Sequence, residues 1–493
     1  MLSRTDAAAL ADRLRDAGFT FADTTDRLGP EATDALARNT TFAARDALGD
    51  AVDTQASLVR LFLLHDTLAP DAAGAALGDL TPLVDAGIVV PDAGGVRAGL
   101  EIRPYAAAGA GVDFDGWITG DLIPILDGRL GRSRPDFVLG ASPASTTLAQ
   151  MTIRRPVARA LDLGTGCGVQ SLLLAGHADH VVATDLNPRA VAMARLTAGL
   201  NGLELDVREG SLYEPVADEV FDLIVTNPPY VMSPPTGERL VYREGQFTAD
   251  ELVRRVVVEG ADRLAPGGTL QVLGNWADTG REPWEERVRG WIEPTGCDAL
   301  VLQREFLDPY EYIELWLNDA GWVGTTEYAP RYRQWLDYFD SLGITGVGMG
   351  WIMLHKAGRP TPDVVVEEWP HAVHQPVGDA FAAHQAGVAA GTVSDADLLA
   401  TAWRLHERID VETLGRPGAE DPEHIIHRQR YGFGRAVEVD TALGAVLGAS
   451  DGELTAGQLI AAVADILGVE HTALAEDLTP RLRELVRQGW LEA

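Results

Sequence analysis

The sequence predicts an α/β protein whose middle part is a doubly wound, mostly parallel sheet and whose two ends are rich in helices. Between about residues 111 and 360, short apolar runs of strand length alternate with longer segments of helical periodicity. The intervals between these runs are long enough for the crossover helices that parallel strands need. A chain of 493 residues also exceeds the roughly 250 to 300 residues that one hydrophobic core serves. We therefore predict three domains, residues 1–110, 111–360 and 361–493.

The predicted N-terminal domain has several helices followed by two short strands, which is the element order of a winged helix. The helix that would enter a DNA major groove, about residues 78–87, contains Asp79 and Asp85 and neither arginine nor lysine. A helix without basic residues is poorly suited to DNA phosphates. We therefore expect this domain to contact protein or a neighbouring domain.

The middle domain is predicted to contain six strands in order, followed by a seventh after an insertion. Their sequences are "ARALDLG", "HVVATDL", "DVREGSL", "DLIVTNPPY", "GTLQVLGNW", "DALVLQREF" and "TGVGMGWIMLHKA". The insertion, at about residues 308–343, is helical and rich in tryptophan and tyrosine. Its aromatic side chains suit either a core or a wall beside a substrate, and the sequence leaves both open.

The predicted C-terminal domain is mostly helical, and its end resembles a second, smaller winged helix. One of its predicted helices covers "SDADLLATAWRLHERI". The last helix carries three arginines that suit a solvated face or a partner-binding face, namely Arg481, Arg483 and Arg487. The segment "RQRYGFGR", residues 428–435, suits either a nucleic-acid loop or a loop that packs on the middle domain.

Two histidine pairs in this part of the chain have three-residue spacing, which would place each pair on one face of a helix. They are His371 with His374, and His424 with His427. Neither pair is accompanied by cysteines or acids at the spacing of zinc ligands. We therefore predict no metal site.

Composition restricts the class of function. The net charge of −33 repels nucleic acid at long range, so a nucleic-acid substrate would need a local arginine cluster. No apolar run approaches the roughly 20 residues of a membrane helix, and the acid-containing first segment is unlike a signal peptide. We expect a cytoplasmic protein whose two cysteines, Cys167 and Cys297, are reduced.

A glycine-rich turn follows the first strand of the middle domain. The segment "ALDLGTGCGVQSLLLA" passes from a strand through Gly164, Gly166 and Gly168 into a helix. Glycines allow close approach of a ligand, and a helix start offers free N–H groups. Asp162 precedes the turn, and Asp185 ends the next strand, where a carboxylate can accept both hydroxyls of a ribose. This pattern predicts a nucleoside-containing ligand.

Four motifs in this order, "LDLGTGCG", "TDLNP", "EGSL" and "NPPY", resemble the Rossmann-like S-adenosylmethionine-dependent methyltransferases. The resemblance covers about residues 135–357. It implies a seven-stranded sheet of order 3-2-1-4-5-7-6 with an antiparallel last strand, and S-adenosylmethionine as cofactor. Asp162 would hold the methionine amino group and Asp185 the ribose. Ser211 would lie near the adenine edge, where many relatives carry an acid instead. The full set of predicted cofactor-binding residues is Asp162, Gly164, Thr165, Gly166, Gly168, Asp185, Leu186, Ser211, Leu212 and Asn227.

The "NPPY" segment, residues 227–230, predicts the chemistry. An amide or exocyclic amine nitrogen is a weak nucleophile because its lone pair is delocalised. Two acceptors for its N–H groups, the Asn227 side-chain oxygen and the Pro228 carbonyl, would orient it and favour the charge-building transition state. Tyr230 would stack on a planar substrate. We therefore predict Asn227, Pro228 and Tyr230 as catalytic residues.

This motif is typical of methyltransferases of adenine N6, of guanine or cytosine amines, and of the release-factor glutamine. The segment before the glycine turn resembles the glutamine and ribosomal-RNA guanine members, where Thr146 or Thr147 would close the cofactor pocket. We predict an N-methyltransferase acting on a protein glutamine or an RNA base, with duplex DNA improbable as substrate and no membrane partner. Methylation of a small planar metabolite is an alternative, and a cofactor-sensing regulatory protein is an alternative of another class. The flanking helical domains would bind a protein partner, and Asn275 and Trp276 suit either the acceptor pocket or edge packing.

Overall fold

The computed structural model describes residues 2–109, 112–128, 134–235, 247–416 and 422–493. These residues form two compact units. One contains Met1–Ala149 and Arg155–Trp369, and the other contains Gln150–Arg154 and Pro370–Ala493. The predicted N-terminal and middle domains therefore lie in one unit, whereas the predicted boundary near residue 360 lies close to the observed one. The three-domain division stays a prediction.

The N-terminal part of the first unit is helical, as predicted. Its helices are α1 (Arg4–Asp16), α2 (Phe21–Leu28), α3 (Pro30–Ala37), α4 (Phe42–Leu48), α5 (Thr54–Phe62), α6 (Pro70–Leu77) and α7 (Thr81–Asp85). Leu14, Phe19, Leu58 and Phe62 are fully buried in their common core. Two antiparallel hairpins follow, formed by β1 (Val89–Asp92) with β2 (Gly95–Ala98) and by β3 (Glu101–Gly109) with β4 (Val112–Gly120).

The middle of the chain forms the predicted α/β fold with a mixed sheet. Helix α8 (Pro143–Met151) precedes its elements, which are β5 (Val157–Leu163), α9 (Val169–Leu174), β6 (Ala178–Asp185), α10 (Pro188–Leu200), β7 (Asp206–Glu209), β8 (Phe221–Thr226), α11 (Glu251–Asp262), β9 (Leu264–Asp278), α12 (Trp284–Ile292), β10 (Asp298–Leu307), α13 (Pro309–Asp319), α14 (Tyr328–Leu342), β11 (Gly346–His355) and β12 (Val364–Glu368). The strand order is β12-β10-β11-β9-β8-β5-β6-β7. Strand β11 runs antiparallel to both neighbours, whereas β5 to β9 pair in parallel.

Strand β12 was not among the predicted strands and extends the sheet to eight. It pairs in parallel with β10 and lies beyond residue 360, the predicted end of the domain. Its sequence, "VVVEE", is β-branched and suits an edge strand. The prediction missed it because the apolar run is short and is preceded by prolines that indicate a loop.

The predicted insertion consists of α13 and α14, and its aromatic residues form a core. Tyr312, Trp335 and Phe339 are buried together. The same cluster includes Val231 and Met232, which follow β8. The insertion therefore packs directly on the segment that contains the "NPPY" motif.

The second unit contains α15 (Gly378–Gly391), α16 (Asp395–Ala400), β13 (Arg404–Leu405), β14 (Ile409–Leu414), β15 (His424–Gln429), β16 (Ala436–Glu438), α17 (Thr441–Gly448), α18 (Ala456–Leu467), α19 (His471–Arg487) and β17 (Leu491–Glu492). The helix predicted over "SDADLLATAWRLHERI" is wrong beyond Ala400. Thr401 adopts an extended conformation with ψ 137°, and the chain then forms β13 and the antiparallel sheet β14-β15-β16. Tertiary pairing with β17 overrides the local helical pattern.

The histidine pairs do not share a helix face. His424 and His427 lie on strand β15, where residues three apart point to opposite sides, and His371 and His374 lie in a loop. His424 bonds to Glu438 at 2.7 Å. Within the described ranges, no group of three or more histidine, cysteine or acidic residues could hold a metal ion.

Five of the arginines considered as binding residues are paired with acids. In "RQRYGFGR", Arg428 bonds to Glu412 at 2.7 Å and Arg430 bonds to Asp410 at 2.6 Å. Arg481, Arg483 and Arg487 on α19 pair with Asp440, Asp395 and Glu484, respectively. These ion pairs partly neutralise the positive charge that a nucleic acid would need.

Cys167 and Cys297 are both buried and free. Among the described residues, no helix is long and apolar enough to cross a bilayer.

Candidate functional site

The glycine turn lies at the carboxyl end of β5. Gly164 and Gly166 have φ values of +74° and +56°, a region that favours glycine. The N–H groups of Gly164 and Thr165 both donate to the Thr184 carbonyl at 2.9 Å, which fixes the turn against β6. A Cβ atom added at Gly164 or Gly166 would have no atom within 4 Å. The turn therefore borders open space.

Gly168 has a different local role. It precedes α9 with φ +88°, and a Cβ atom there would lie 3.2 Å from the Ala194 Cα atom of α10. Gly168 therefore allows α9 and α10 to pack closely, and a direct role in ligand binding stays a prediction.

Asp162 is buried beneath the turn. Its Oδ2 atom accepts hydrogen bonds from the Thr165 hydroxyl at 2.6 Å, the Ser171 hydroxyl at 2.7 Å and the Ser171 N–H at 3.0 Å. Burial raises the pKa of Asp162 to about 6, although these hydrogen bonds oppose the shift. Thr165 therefore directs its hydroxyl towards Asp162. Sequence reasoning missed the role of Ser171, which has no motif of its own.

Asp185 lies at the end of β6 beside the turn. Its carboxylate accepts hydrogen bonds from the Gly166 N–H at 2.9 Å and the Asn187 N–H at 2.8 Å. Burial raises the pKa of Asp185. The next residue, Leu186, is 48% exposed, so an apolar side chain faces solvent beside this carboxylate.

The segment after β7 is joined to the same edge. The Gly210 N–H donates to the Asp185 carbonyl at 3.0 Å, and Ser211 and Leu212 follow. Leu212 has φ +46°, a conformation that costs a non-glycine residue about 1 to 2 kcal/mol. Strained backbone of this kind is concentrated at functional sites.

The strand register brings the three predicted ligand-binding segments together. Leu163 pairs with Thr184 on one side and with Thr226 on the other. The residues that follow these partners, Asp185, Gly164 and Asn227, therefore lie side by side at the carboxyl edge. Neighbouring strands are about 4.8 Å apart, so the three positions span roughly 10 Å.

The Asn227 side chain has an unpaired acceptor. The preceding residue, Thr226, joins the ends of β8 and β5, because its hydroxyl donates to the Leu163 carbonyl at 2.7 Å. The Oδ1 atom of Asn227 is buried, and no described residue donates a hydrogen bond to it. Pro228, the next residue, is buried. A buried carboxamide oxygen without a partner is available to a ligand N–H group.

Tyr230 is surrounded by groups from β9 and the insertion. Its carbonyl accepts a hydrogen bond from Asn275 at 2.8 Å, and its ring meets the Trp316 ring edge-on, with centroids 6.4 Å apart. Burial raises the pKa of the Tyr230 hydroxyl, and the charges of Glu305 and Asp319 add to this shift.

Asn275 and Trp276 have separate roles. Trp276 is fully buried, donates to the Gln303 side chain at 2.8 Å and stacks on Trp284, so it belongs to the core. Asn275 contacts the "NPPY" segment instead. Trp276 thus shows the core packing, and a place for Asn275 in the acceptor pocket stays a prediction.

The segment upstream of β5 is fastened to the site. Gln170 on α9 donates to the Ser145 carbonyl at 2.7 Å, and Asn187 donates to the Asp136 carbonyl at 3.0 Å. Neither Gln170 nor Asn187 was predicted, although both follow a predicted motif closely. The Thr147 hydroxyl is bonded to the Pro143 carbonyl, and closure of a pocket by Thr146 or Thr147 stays a prediction.

Two family models match parts of the chain. Residues 141–282 match the family described as methyltransferase small domain, and residues 16–99 match a domain of unknown function, DUF7059. The first match covers the turn, Asp185, the "NPPY" segment and β9.

Curated relatives are similar over the same region. A release factor glutamine methyltransferase of Geobacter sulfurreducens is 35% identical over 34% of this chain and 62% of its own length. A ribosomal protein uL3 glutamine methyltransferase of Bradyrhizobium diazoefficiens is 31% identical over 29% of this chain and 50% of its own. A ribosomal RNA small subunit methyltransferase C of Alcanivorax borkumensis is 32% identical over 24% and 32%, respectively.

The chain thus spans between about one third and three fifths of the length of these relatives. The resemblance to the amino methyltransferases with an "NPPY" motif is confirmed, because residues 141–282 match the methyltransferase small domain and the relatives carry such names.

Proposed function

We propose that this protein is an S-adenosylmethionine-dependent N-methyltransferase that acts on a planar amide or exocyclic amine nitrogen. The observation that carries the proposal is the buried, unpaired Oδ1 atom of Asn227, one strand spacing from the glycine turn. This atom can accept a hydrogen bond from an –NH2 group beside the cofactor. The relatives named as glutamine and ribosomal-RNA methyltransferases support the same chemistry.

The residues around the turn suit S-adenosylmethionine. The open space above Gly164 and Gly166 leaves room for a ligand against the backbone, and Asp185 stands where a ribose is held in nucleoside-binding α/β folds. Asp162 would act on the methionine amino group through its negative charge. The proposed cofactor-binding set is Asp162, Gly164, Thr165, Gly166, Gly168, Asp185, Leu186, Ser211, Leu212 and Asn227.

The reaction would place an acceptor nitrogen in line with an electrophilic methyl group, which S-adenosylmethionine supplies when bound. Asn227 and the Pro228 carbonyl would bind the two N–H groups and hold the nitrogen lone pair towards the methyl group. These acceptors stabilise the positive charge that develops on nitrogen. Tyr230 would stack on the planar group, and the buried setting excludes water, which strengthens each of these interactions.

A protein glutamine is the acceptor we favour over an RNA base. The net charge of −33 would repel the phosphates that accompany a nucleobase. The arginines of residues 428–435 that pair with acids provide little compensating charge. Duplex DNA is disfavoured for the same reason, and a small planar metabolite is a further candidate.

We also propose the finer features of the fold and setting. The observed sheet suits the order 3-2-1-4-5-7-6 with one strand added at its edge. Winged-helix-like modules at both ends would bind a protein partner, since Asp79 and Asp85 on the N-terminal side suit protein better than DNA. A cytoplasmic location suits the ribosomal and release-factor substrates named for the relatives.

Transfer of tritiated methyl groups from S-adenosylmethionine to a bacterial lysate tests the proposal. Label in macromolecules that is lost after protease digestion identifies protein, and label lost after nuclease digestion identifies RNA. Asn227→Ala should lower the transfer rate by about 100-fold or more and change cofactor affinity little. Asn318→Ala, at an exposed asparagine on α13, should change neither. Cofactor binding by the wild type without any label would favour the regulatory function instead.

A further inference from the structure

Asn275 is a polar side chain in an otherwise buried strand. It lies on β9, three residues beyond Val272, which pairs with Thr226 at the end of β8. Asn275 is fully buried. A carboxamide in such a place is unfavourable unless its donors and acceptor find partners.

Both N–H groups of Asn275 have partners. The Nδ2 atom donates to the Tyr230 carbonyl at 2.8 Å and to the Tyr312 hydroxyl at 3.2 Å. This orientation of the carboxamide follows from chemistry, because the Tyr230 carbonyl can only accept and must therefore face the nitrogen.

The Oδ1 atom of Asn275 is buried and then has no hydrogen-bond donor among the described residues. The nitrogen and oxygen of a carboxamide are about 2.3 Å apart, so this oxygen lies within about 5 Å of the Tyr230 carbonyl oxygen. It is thus the second unpaired carboxamide oxygen beside the "NPPY" segment, after Asn227 Oδ1.

Tyr312 also contacts the "NPPY" segment and the residues that follow it. This residue of α13 is fully buried, and its hydroxyl accepts a hydrogen bond from the Met232 N–H at 3.0 Å. Asn275 and Tyr312 therefore hold two backbone groups, the Tyr230 carbonyl and the Met232 N–H, on either side of Val231. The conformation of the segment that carries Asn227 and Tyr230 is fixed through these two contacts.

We propose that Asn275 belongs to the acceptor site: its nitrogen, with Tyr312, positions the "NPPY" segment, and its free oxygen accepts a hydrogen bond from the methyl acceptor. This inference rests on the proposed function, because the ligand it requires is a molecule with an N–H group. Tyr312 is a positioning residue that acts through Asn275 and Met232.

Two variants and a matched control test the proposal. Asn275→Leu keeps the approximate volume and removes both functions, and Tyr312→Phe keeps the ring and removes the hydroxyl. Gln303→Leu serves as the control, because it removes another buried carboxamide in the same sheet, one that accepts from Trp276. The readouts are hydrogen exchange of a peptide covering residues 229–235, affinity for S-adenosylmethionine, and kcat and KM for methyl transfer to total bacterial protein or total RNA.

Asn275→Leu should speed exchange of the peptide at least tenfold, raise KM and lower kcat/KM at least tenfold, and leave cofactor affinity within twofold. Tyr312→Phe should speed exchange equally and reduce kcat/KM less, since the Asn275 oxygen remains. A purely structural role would lower only the active fraction and leave KM unchanged, and that result would overturn the proposal. Wild-type exchange and transfer in Asn275→Leu, or equal losses in Gln303→Leu, would overturn it as well.

The two proposals can fail separately. If the wild type transfers no label to protein or RNA, the proposed function fails, and the exchange experiment still decides whether Asn275 and Tyr312 hold the segment. If the wild type transfers label and Asn275→Leu is unaffected, the proposed function stands and the role of Asn275 is refuted.

Discussion

Replacement of Asp162 by asparagine should stabilise the protein at neutral pH while it weakens the proposed cofactor site. The pKa of this carboxyl is raised from 3.8 to about 6 by burial. Because the folded pKa lies above the unfolded one, the folded state binds the proton more tightly, and the wild type loses stability as the pH rises from about 4 to 6. The loss amounts to about 2 kcal/mol at pH 5 and about 3 kcal/mol at pH 8. Asparagine is neutral throughout and keeps an oxygen for the donors of Thr165 and Ser171.

The advantage of Asp162→Asn should therefore grow with pH. Hydrogen exchange of peptides from residues 157–174 measures the local free energy of opening, once rates are corrected for the pH dependence of intrinsic exchange. The difference in opening free energy between variant and wild type should increase by about 1 kcal/mol between pH 5 and pH 8. Asp179→Asn, at an exposed position on β6, should show no such trend. A gap that does not change with pH, or a variant less stable than the wild type at pH 8, would refute the burial argument.

Three further predictions concern the cofactor side of the site. Wild-type affinity for S-adenosylmethionine, measured by calorimetry, should fall about tenfold per pH unit below about pH 6, because a protonated Asp162 no longer attracts the ammonium group. Asp162→Asn should bind the cofactor weakly at every pH. A wild-type affinity that does not change with pH would show that Asp162 does not interact with the amino group. Gly164→Ala should weaken S-adenosylmethionine binding at least 30-fold. Gly202 has a similar φ of +67° and open surroundings, so Gly202→Ala should lose a similar amount of stability, about 1 kcal/mol, and bind the cofactor normally. Equal binding by both variants would show that Gly164 does not border the ligand. Asp185→Ala should lower affinity for adenosine by about 10- to 100-fold, and Asp179→Ala should not; unchanged affinity in Asp185→Ala would contradict contact with the ribose.

The cofactor side could be predicted from the sequence because its positions are fixed by the chain itself. Gly164 and Gly166 need positive φ values, and Asp185 ends a strand whose neighbour in space is also its predecessor in the chain. Local spacing alone therefore brings these residues to one edge of the sheet. The same logic placed Asn227, since β8 is the next strand to pair with β5.

The acceptor side could be predicted only in part. Asn275 follows from β9 being adjacent to β8, but its contact with the Tyr230 carbonyl depends on a rotamer. Tyr312 comes from an insertion 80 residues beyond Met232 in the chain, and its spacing carries no signal for a hydroxyl that meets a backbone N–H. The helix predicted beyond Ala400 failed for a related reason, because β13 depends on pairing with the last strand of the chain. Long-range pairing is the information that one sequence does not contain.

The two sides of the site differ in how their polar groups are satisfied, and this difference bears on function. Asp162 and Asp185 accept hydrogen bonds from the protein itself, so the carboxylates of the proposed cofactor side already have partners before any ligand binds. Asn227 and Asn275 each bury a carboxamide oxygen that no described residue pairs, at a cost of about 1 to 3 kcal/mol each. A ligand that pairs with such groups is one physical reason for their presence in a folded protein. A ligand that donates an N–H group to each of these oxygens would recover this free energy on binding. The unpaired oxygens thus favour an acceptor molecule with several N–H groups over one that offers none.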